Sequence, residues 1–308
     1  AITYQAEDEA GNIETCSFNI NVIDTEDPVV VCQPNIIMDA DAGACNRKSP
    51  GGSLSPMLAS SNCEAEVRWR VVGPDGTQTT GEDDVSGFEF DLGTSTVYYT
   101  ITESASGQDW DCNFTVTVED SEAPVIECQP TLEVTANAGE CTAVVDLIAP
   151  TSADNCSSGL DVFFRVFGPD NLISDEYNYA TVNSYEFKNG ISQIEWKVVD
   201  KAGNQSSCWQ NIWVSPDFDA LIPYAGENAA ICNTDVFTTE ATAPDYADVT
   251  WTTTGTGTFA DASQAITIYT PSQNDINDGS VILTITSSND CASSSDQMML
   301  ILSQPPQV

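Results

Sequence analysis

The chain contains the stretch Cys112-Asn-Phe114-Thr-Val116-Thr-Val118, and this stretch decides the fold because its pattern of a cysteine followed by alternating apolar residues occurs in three copies. The other copies are Cys16-Ser-Phe18-Asn-Ile20-Asn-Val22 and Cys208-Trp-Gln-Asn-Ile212-Trp-Val214. Each copy lies 96 residues from the next (112 − 16 and 208 − 112). A period near 100 residues is too long for a solenoid unit and is typical of a whole small domain. The sequence therefore predicts a tandem array of one domain type.

Strand signals dominate each repeat. Val67, Trp69 and Val71 alternate with arginines, and Ile194 and Trp196 belong to a similar run. This period-2 pattern, with turn residues every eight to twelve positions, predicts short strands with one buried face. We expect an all-β fold of tandem immunoglobulin-like Greek-key sandwiches, joined by short acidic connections into an extended rod.

The repeats predict four segments. Acidic joints follow the last strand of each copy, at Asp24-Thr-Glu-Asp27 and Glu119-Asp-Ser-Glu122. Residues 1–24 are expected to be the closing strands of a truncated domain, and residues 25–120 and 121–216 two complete copies. Residues 217–308 lack the motifs and are expected to form a different sandwich of the same class. The interpretation implies a much longer parent array.

Composition limits the function. The 308 residues include 47 acidic and 8 basic side chains, a formal charge of −39, so binding to nucleic acid is not expected. Because there is no histidine, Ser-His-Asp and Cys-His catalytic arrangements are impossible. The 11 cysteines follow the domain period and contain no CxxC pair, which favours structural disulfides in an extracellular compartment. No apolar run is long enough to span a membrane.

Several motifs carry a resemblance to a known family. Asp8-Glu-Ala10-Gly11-Asn12 before Cys16, Asp200-Lys-Ala-Gly-Asn204 before Cys208 and Cys32-Gln-Pro34 resemble hyalin repeat (HYR) domains over roughly residues 1–215. The middle copy departs from the pattern at Glu103-Ser-Ala-Ser-Gly107. Residues 217–308 are similar to PKD-like domains of long Bacteroidota surface proteins. The resemblance implies a secreted, multi-domain cell-surface adhesin or appendage, as in gliding motility.

The cysteines predict a set of bridges. In a sandwich the first and last strands are neighbours, so the cysteines of those strands can meet. The predicted pairs are Cys32–Cys112, Cys45–Cys63, Cys128–Cys208, Cys141–Cys156 and Cys232–Cys291, with Cys16 joined to a residue upstream of this segment. Pairing first with third and second with fourth within each repeat is the alternative that the sequence leaves open.

Calcium is the one candidate cofactor. Carboxylates and amides from a joint and the adjacent loops supply the oxygen ligands that calcium takes, or else they are solvated turn residues. The candidate ligands are Asp24, Glu26, Asp27, Glu103, Glu119, Asp120, Glu122, Asp154, Asn155 and Asp200.

These observations favour a non-catalytic, disulfide-stapled stalk whose partners are neighbouring domains of a longer chain. One alternative is a filament subunit that assembles by domain packing or strand donation. Another is a module that binds surface glycans or a protein. Trp209 and Trp213 are expected on one strand face, as part of a covered interface or as a platform for sugars.

Overall fold

The computed structural model describes residues 1–303 except 24, 28, 52–53, 61–63, 105 and 233–234. The chain forms two compact units. The first contains Ala1–Glu122 and Asn155–Ser157, and the second contains Ala123–Asp154 and Ser158–Val308. Apart from two short helical turns, the regular structure in the described residues is β-strand, which confirms the predicted all-β class.

The first unit begins with a two-stranded hairpin. Its strands are β1 (Ile2–Glu7) and β2 (Ile13–Phe18), paired antiparallel with Tyr4 opposite Cys16. Every residue of both strands is exposed, including Tyr4 and Phe18, whose rings stack at 6.0 Å. The hairpin therefore has two apolar rings on its surface, as expected for strands without an opposite sheet.

A sandwich follows in the same unit. Its strands are β3 (Val29–Val31), β4 (Ile36–Asp39), β5 (Asn46–Lys48), β6 (Met57–Ser60), β7 (Ala65–Val72), β8 (Gln78–Glu82), β9 (Glu89–Asp91), β10 (Gly93–Glu103) and β11 (Asp109–Glu119). One sheet has the order β4-β11-β10-β7-β8, and the pairs β3-β6 and β5-β9 lie against it. Alternate residues of β10 and β11 are buried, so Tyr99, Ile101 and Phe114 form a core with Phe90 of β9.

The second unit repeats this arrangement. Its first sandwich has strands β12 (Val125–Glu127), β13 (Leu132–Thr135), β14 (Thr142–Asp146), β15 (Thr151–Ala153), β16 (Asp161–Phe167), β17 (Tyr177–Asn178), β18 (Ser184–Lys188), β19 (Gly190–Val199) and β20 (Gln205–Ser215). The sheet order is β13-β20-β19-β16-β17, and the pairs β12-β15 and β14-β18 cover its inner face. Trp196 takes the place of Tyr99 in this core, and its indole nitrogen donates to Gln210 at 3.0 Å.

A different sandwich completes the second unit. Its elements are a 3-10 turn (Asp219–Leu221), β21 (Ala229–Cys232), β22 (Phe237–Thr238), β23 (Asp248–Thr253), β24 (Thr258–Phe259), β25 (Ile268–Thr270), α1 (Gln273–Asp278), β26 (Ser280–Ser288) and β27 (Ser293–Ser303). The sheets β21-β27-β26-β23 and β22-β25-β24 enclose Trp251, Tyr269 and Leu283. The change of motif after residue 216 thus corresponds to a changed strand arrangement.

One register is common to all three sandwiches. The strand that opens each large sheet runs parallel to the last strand, with Ile36 opposite Val116, Leu132 opposite Ile212 and Ala229 opposite Leu300. Loops that follow the opening strand therefore lie where the last strand ends. This register decides which cysteines can meet.

Candidate functional site

Two disulfides join the first and last strands within a repeat. Cys32 bonds to Cys112 and Cys128 bonds to Cys208, with Cα atoms 5.7 and 5.8 Å apart. Cys32 lies four residues before Ile36 and Cys112 four before Val116, so the parallel register aligns the two cysteines. These are the pairs expected from neighbouring first and last strands, and their Cα separations are ordinary for disulfides.

Two further disulfides contradict the predicted pairing. Cys45 bonds to Cys156, inside the first unit, with a Cα separation of 5.0 Å. Cys141 bonds to Cys291, inside the second unit, with a separation of 5.7 Å. The predicted bonds Cys45–Cys63, Cys141–Cys156 and Cys232–Cys291 are therefore wrong, although Cys63 itself lies outside the described residues. In both cases a cysteine of one complete repeat bonds to a cysteine of the segment that follows it in the sequence.

The strand register explains why the predicted bonds do not form. Cys141 follows β13, whose partner β20 ends there, whereas Cys156 precedes β16, which starts beside the beginning of β20. The 11 residues of β20 therefore separate the two cysteines, a distance of about 35 Å. The first sandwich has the same arrangement. Cys45 follows β4, which ends beside the end of β11, whereas Ala65, the first residue of β7, lies near the start of β11.

Cys16 and Cys232 are exposed and unbonded in the described part of the chain. Cys232 is opposite Ser303, at the end of β27, whereas Cys291 precedes the start of that strand. Their separation along β27 excludes the predicted bond. For Cys16, a partner outside this segment stays a prediction.

The acidic residues of the first unit lie in several environments. Glu103 is buried, and its Oε2 accepts a hydrogen bond of 2.5 Å from Ser106. Glu122 accepts from the Gly43 amide at 2.7 Å and from the Asn155 side chain at 2.9 Å. Three other predicted ligands of this unit, Glu26, Asp27 and Glu119, are exposed. Asp120 is buried and accepts a hydrogen bond from the Glu122 amide. Asp24 lies outside the described residues.

Two predicted ligands of the second unit lie together. Carboxylate oxygens of Asp154 and Asp200 are within 4.8 Å of each other, and Asp200 is only 5% exposed. Burial raises the pKa of Asp200, but hydrogen bonds from Asn204 and Gly203 outweigh that effect and hold the pKa below its ordinary value. Asp200 therefore stays ionised next to a second carboxylate. Calcium at these loops stays a prediction.

Trp209 and Trp213 lie on the outer face of the sheet in the second unit's first sandwich, as their alternation predicts. They are 50% and 47% exposed. Trp209 packs against Phe167 with ring centroids 5.1 Å apart, and Trp213 is opposite Ile191. Within the second unit this face is open rather than covered by another strand.

Sequence analysis missed a buried carboxylate in the last sandwich. Asp275 is 1% exposed and accepts hydrogen bonds from the amides of Thr256 (2.7 Å), Gly257 (2.9 Å) and Ser272 (2.9 Å) and from the Tyr269 hydroxyl (2.7 Å). Burial alone raises its pKa, but these bonds together lower the pKa to about 2. Burial raises the pKa of Tyr269 to about 12. Ser272 and Asp275 form a capping box, a spacing that is readable in the sequence.

This network explains the Gly255-Thr-Gly257 motif. A Cβ atom at Gly257 would lie 2.5 Å from the Thr270 carbonyl oxygen and 2.6 Å from Asp275 Oδ2. Only glycine allows the loop between β23 and β24 to approach the carboxylate so closely. The arrangement holds the loop between β23 and β24 in place. Its polar groups already form hydrogen bonds with one another.

Comparisons with known proteins agree with the repeat pattern. No family model matches the chain. Over 210 residues, 67% of this chain, it is 25% identical to hyalin of Strongylocentrotus purpuratus. The chain spans only 15% of the length of that protein.

Solved structures give likenesses of fold at low sequence identity. Drosophila N-cadherin EC1-3 is 13% identical, with 89% of this chain and 99% of that chain covered and a TM-score of 0.31. Sidekick-1 immunoglobulin domains 1-5 are 13% identical, with 98% and 66% covered and a TM-score of 0.36. Mouse protocadherin-24 EC1-3 is 15% identical, with 94% and 99% covered and a TM-score of 0.35.

The strand pairing makes the chain an all-β array of sandwich domains, and its sequence is distantly similar to hyalin. Its disulfides indicate an extracellular setting. Among the described residues, no helix is long and apolar enough to cross a membrane. None of the comparisons supports the expected gliding-motility context.

Proposed function

We propose that this chain is a non-catalytic segment of an extracellular structural or adhesive protein, in which disulfides between successive repeats make a tether that resists extension. The observation that carries the proposal is the order of the four disulfides along the chain. Cys45 lies between Cys32 and Cys112 but bonds beyond them, and Cys141 lies between Cys128 and Cys208 but bonds beyond them. Each bonded loop therefore overlaps the next.

Overlapping loops shorten the covalent path through the chain. From Cys32 the shortest path follows 13 residues to Cys45 (45 − 32) and crosses the disulfide to Cys156. It then follows 15 residues back to Cys141 (156 − 141) and crosses to Cys291. The path therefore contains 28 backbone residues, against 259 along the chain (291 − 32).

The short path sets a limit on extension. At about 3.5 Å per residue, 28 residues reach about 100 Å and 259 residues about 900 Å. Even if the sandwiches unfold, the oxidised chain between Cys32 and Cys291 cannot extend beyond about 100 Å plus two disulfide crossings. A stalk of such segments keeps its length under load without depending on the stability of each domain.

Force spectroscopy on the full chain, held by tags at its two ends, tests this proposal. We expect the fully stretched chain to be about 800 Å longer once its disulfides are reduced than in its oxidised form. If the two bonds between repeats did not form, the oxidised path would follow 16 residues from Cys112 to Cys128 and 83 from Cys208 to Cys291. The oxidised chain would then be about 250 Å longer than we expect, and the tether would be refuted.

The exposed hairpin β1-β2 favours a second role, pairing with strands from outside this segment. Ile2 and Phe18 are 40% and 48% exposed, and a two-stranded hairpin alone is marginally stable in water. The completing strands come from an earlier domain of a longer chain, or from a neighbouring subunit in the filament alternative. Analytical ultracentrifugation separates the two, because strand donation predicts concentration-dependent assembly that Tyr4→Asp weakens.

A further inference from the structure

The outer sheet face of the sandwich in the first unit contains a groove that the tether does not use. It has a volume of about 950 Å³, which is within the usual range of small-ligand sites. Strands β7, β8, β10 and β11 form its floor. The lining includes Arg68, Arg70, Tyr98, Thr100, Asp111 and Asn113.

Arg70 is unusual for a chain with so few cations. Its guanidinium lies over the Tyr98 ring, 4.2 Å from the centroid, and donates to Gln78 at 3.4 Å. Within the described ranges, no carboxylate oxygen lies within ion-pairing distance of it. Because the chain has 47 acidic and 8 basic residues, an arginine without an acidic partner needs an explanation.

Arg165 is the equivalent arginine of the next repeat, and its surroundings differ from those of Arg70. Arg70 and Arg165 each lie three residues before a Gly-Pro-Asp turn. Arg165 is opposite Glu195 and lies 4.0 Å from a carboxylate oxygen of Glu176. At the position of Glu195, the earlier repeat has Tyr98, opposite Arg70. Arg70 thus has an aromatic ring opposite it where Arg165 has a carboxylate, and it donates to the amide of Gln78 where Arg165 pairs with Glu176. The ring stacks on the guanidinium and leaves its in-plane N–H groups for a ligand.

The remaining lining indicates the kind of ligand. A guanidinium binds a carboxylate through two parallel hydrogen bonds. Arg68 is ion-paired with Glu66 at 3.3 Å and lies opposite Glu82, which also lines the groove, so Arg70 is the arginine that is left for a ligand. Asp111, which already accepts from Thr100 at 2.7 Å, is a hydrogen-bond acceptor in the same groove. An acidic peptide brings carboxylates but few donors for such a group. A sugar acid brings one carboxylate per ring together with several hydroxyl donors.

We propose that this groove binds a uronate residue of an anionic polysaccharide, with Arg70 holding the sugar carboxylate and Asp111 and Asn113 hydrogen-bonding its hydroxyls. The proposal goes beyond the tether, which needs no ligand. The two can fail separately, because a change at Arg70 leaves all the cysteines in place.

Isothermal titration calorimetry of the full chain with trigalacturonate, and with neutral galactotriose as the matched probe, tests the proposal. We expect trigalacturonate to bind at least tenfold more tightly than galactotriose, and added salt to weaken the difference. Arg70→Gln is expected to weaken trigalacturonate binding about tenfold or more, since a hydrogen bond to a charged group is lost. Tyr98→Glu, which removes the stacking ring and places a carboxylate opposite Arg70, is expected to weaken it equally.

Arg165→Gln is the matched control and is expected to bind trigalacturonate as the unmodified chain does. Arg70→Lys keeps the positive charge but cannot form two parallel hydrogen bonds to a carboxylate. We expect its affinity for trigalacturonate to lie between those of the unmodified chain and Arg70→Gln. Equal binding of the two sugars, or unchanged binding by Arg70→Gln, would overturn the proposal. Tighter binding of a hexaglutamate peptide than of trigalacturonate would also overturn it and indicate a protein partner.

Discussion

Replacing Asp275 by asparagine tests the buried network of the last sandwich. The substitution keeps the shape of the side chain but removes the charge that three amides and the Tyr269 hydroxyl approach. The pKa of Asp275 in the folded chain is about 2, against 3.8 as an ordinary value. At about 1.4 kcal/mol per pKa unit, ionisation of this side chain stabilises the fold by about 2 kcal/mol at neutral pH.

The pH dependence follows from the direction of the shift. Because folding lowers the pKa of Asp275, the stabilisation is fully present above about pH 4 and is lost as the pH falls towards 2. The free-energy difference between the unmodified chain and Asp275→Asn should therefore shrink by about 2 kcal/mol between pH 5 and pH 2. Urea unfolding followed by hydrogen-exchange mass spectrometry on peptides from β23, β26 and β27 reports this sandwich separately.

Asp278→Asn is the matched control, since Asp278 is an exposed residue of the same helix. Its unfolding free energy should stay within about 0.5 kcal/mol of the unmodified value at both pH values. The reasoning is refuted if Asp275→Asn behaves like the control, or if its cost is the same at pH 5 and pH 2.

Three further outcomes are expected. Gly257→Ala should destabilise the last sandwich by about 1–3 kcal/mol, because its Cβ would lie 2.5 Å from the Thr270 carbonyl oxygen, whereas Gly51→Ala, with open space around it, should be neutral in the same unfolding assay. A maleimide should modify Cys232 in the unreduced chain, since its thiol is exposed, and mass spectrometry that finds Cys232 blocked would contradict the assigned pairing. Chelation of calcium should lower the melting temperature if the acidic loops bind it, and an unchanged melting curve at fixed ionic strength would leave them as charged turns.

The period of the cysteines and the alternating pattern were enough to predict tandem all-β sandwiches and the bonds between first and last strands. Alternating residues such as Val97, Tyr99 and Ile101 are buried as period-2 burial requires. Cys32 and Cys112 could be paired because neighbouring first and last strands are common to the whole fold class. These inferences depend only on features that each repeat contains within itself.

The bonds between repeats could not be found in the same way. Counting cysteines favours pairs within a repeat, but it does not show at which end of the sheet a loop lies. Cys141 and Cys156 are close in sequence and lie at opposite ends of β20, because β13 is parallel to that strand. The predicted bond Cys232–Cys291 fails for the same reason, because Cys232 lies beside the end of β27 and Cys291 lies before its start.

Two other features depend on three-dimensional proximity. Asp275 resembles any surface carboxylate in the sequence, and only the return of the Gly255–Gly257 loop shows that it is buried. Arg70 lies in an ordinary alternating run, and its unusual state appears only when Tyr98 is seen opposite it. The capping-box spacing at Ser272 was a readable signal for the first feature, whereas the second has no signal in one repeat alone.

The most direct test of the tether is a disulfide map of the unreduced full chain. Digestion with pepsin at low pH, which prevents disulfide exchange, followed by mass spectrometry identifies each cross-linked peptide pair. The account predicts peptides that join Cys45 to Cys156 and Cys141 to Cys291. Peptides that join Cys45 to Cys63 or Cys141 to Cys156 would contradict it, because every bond would then close within a single repeat.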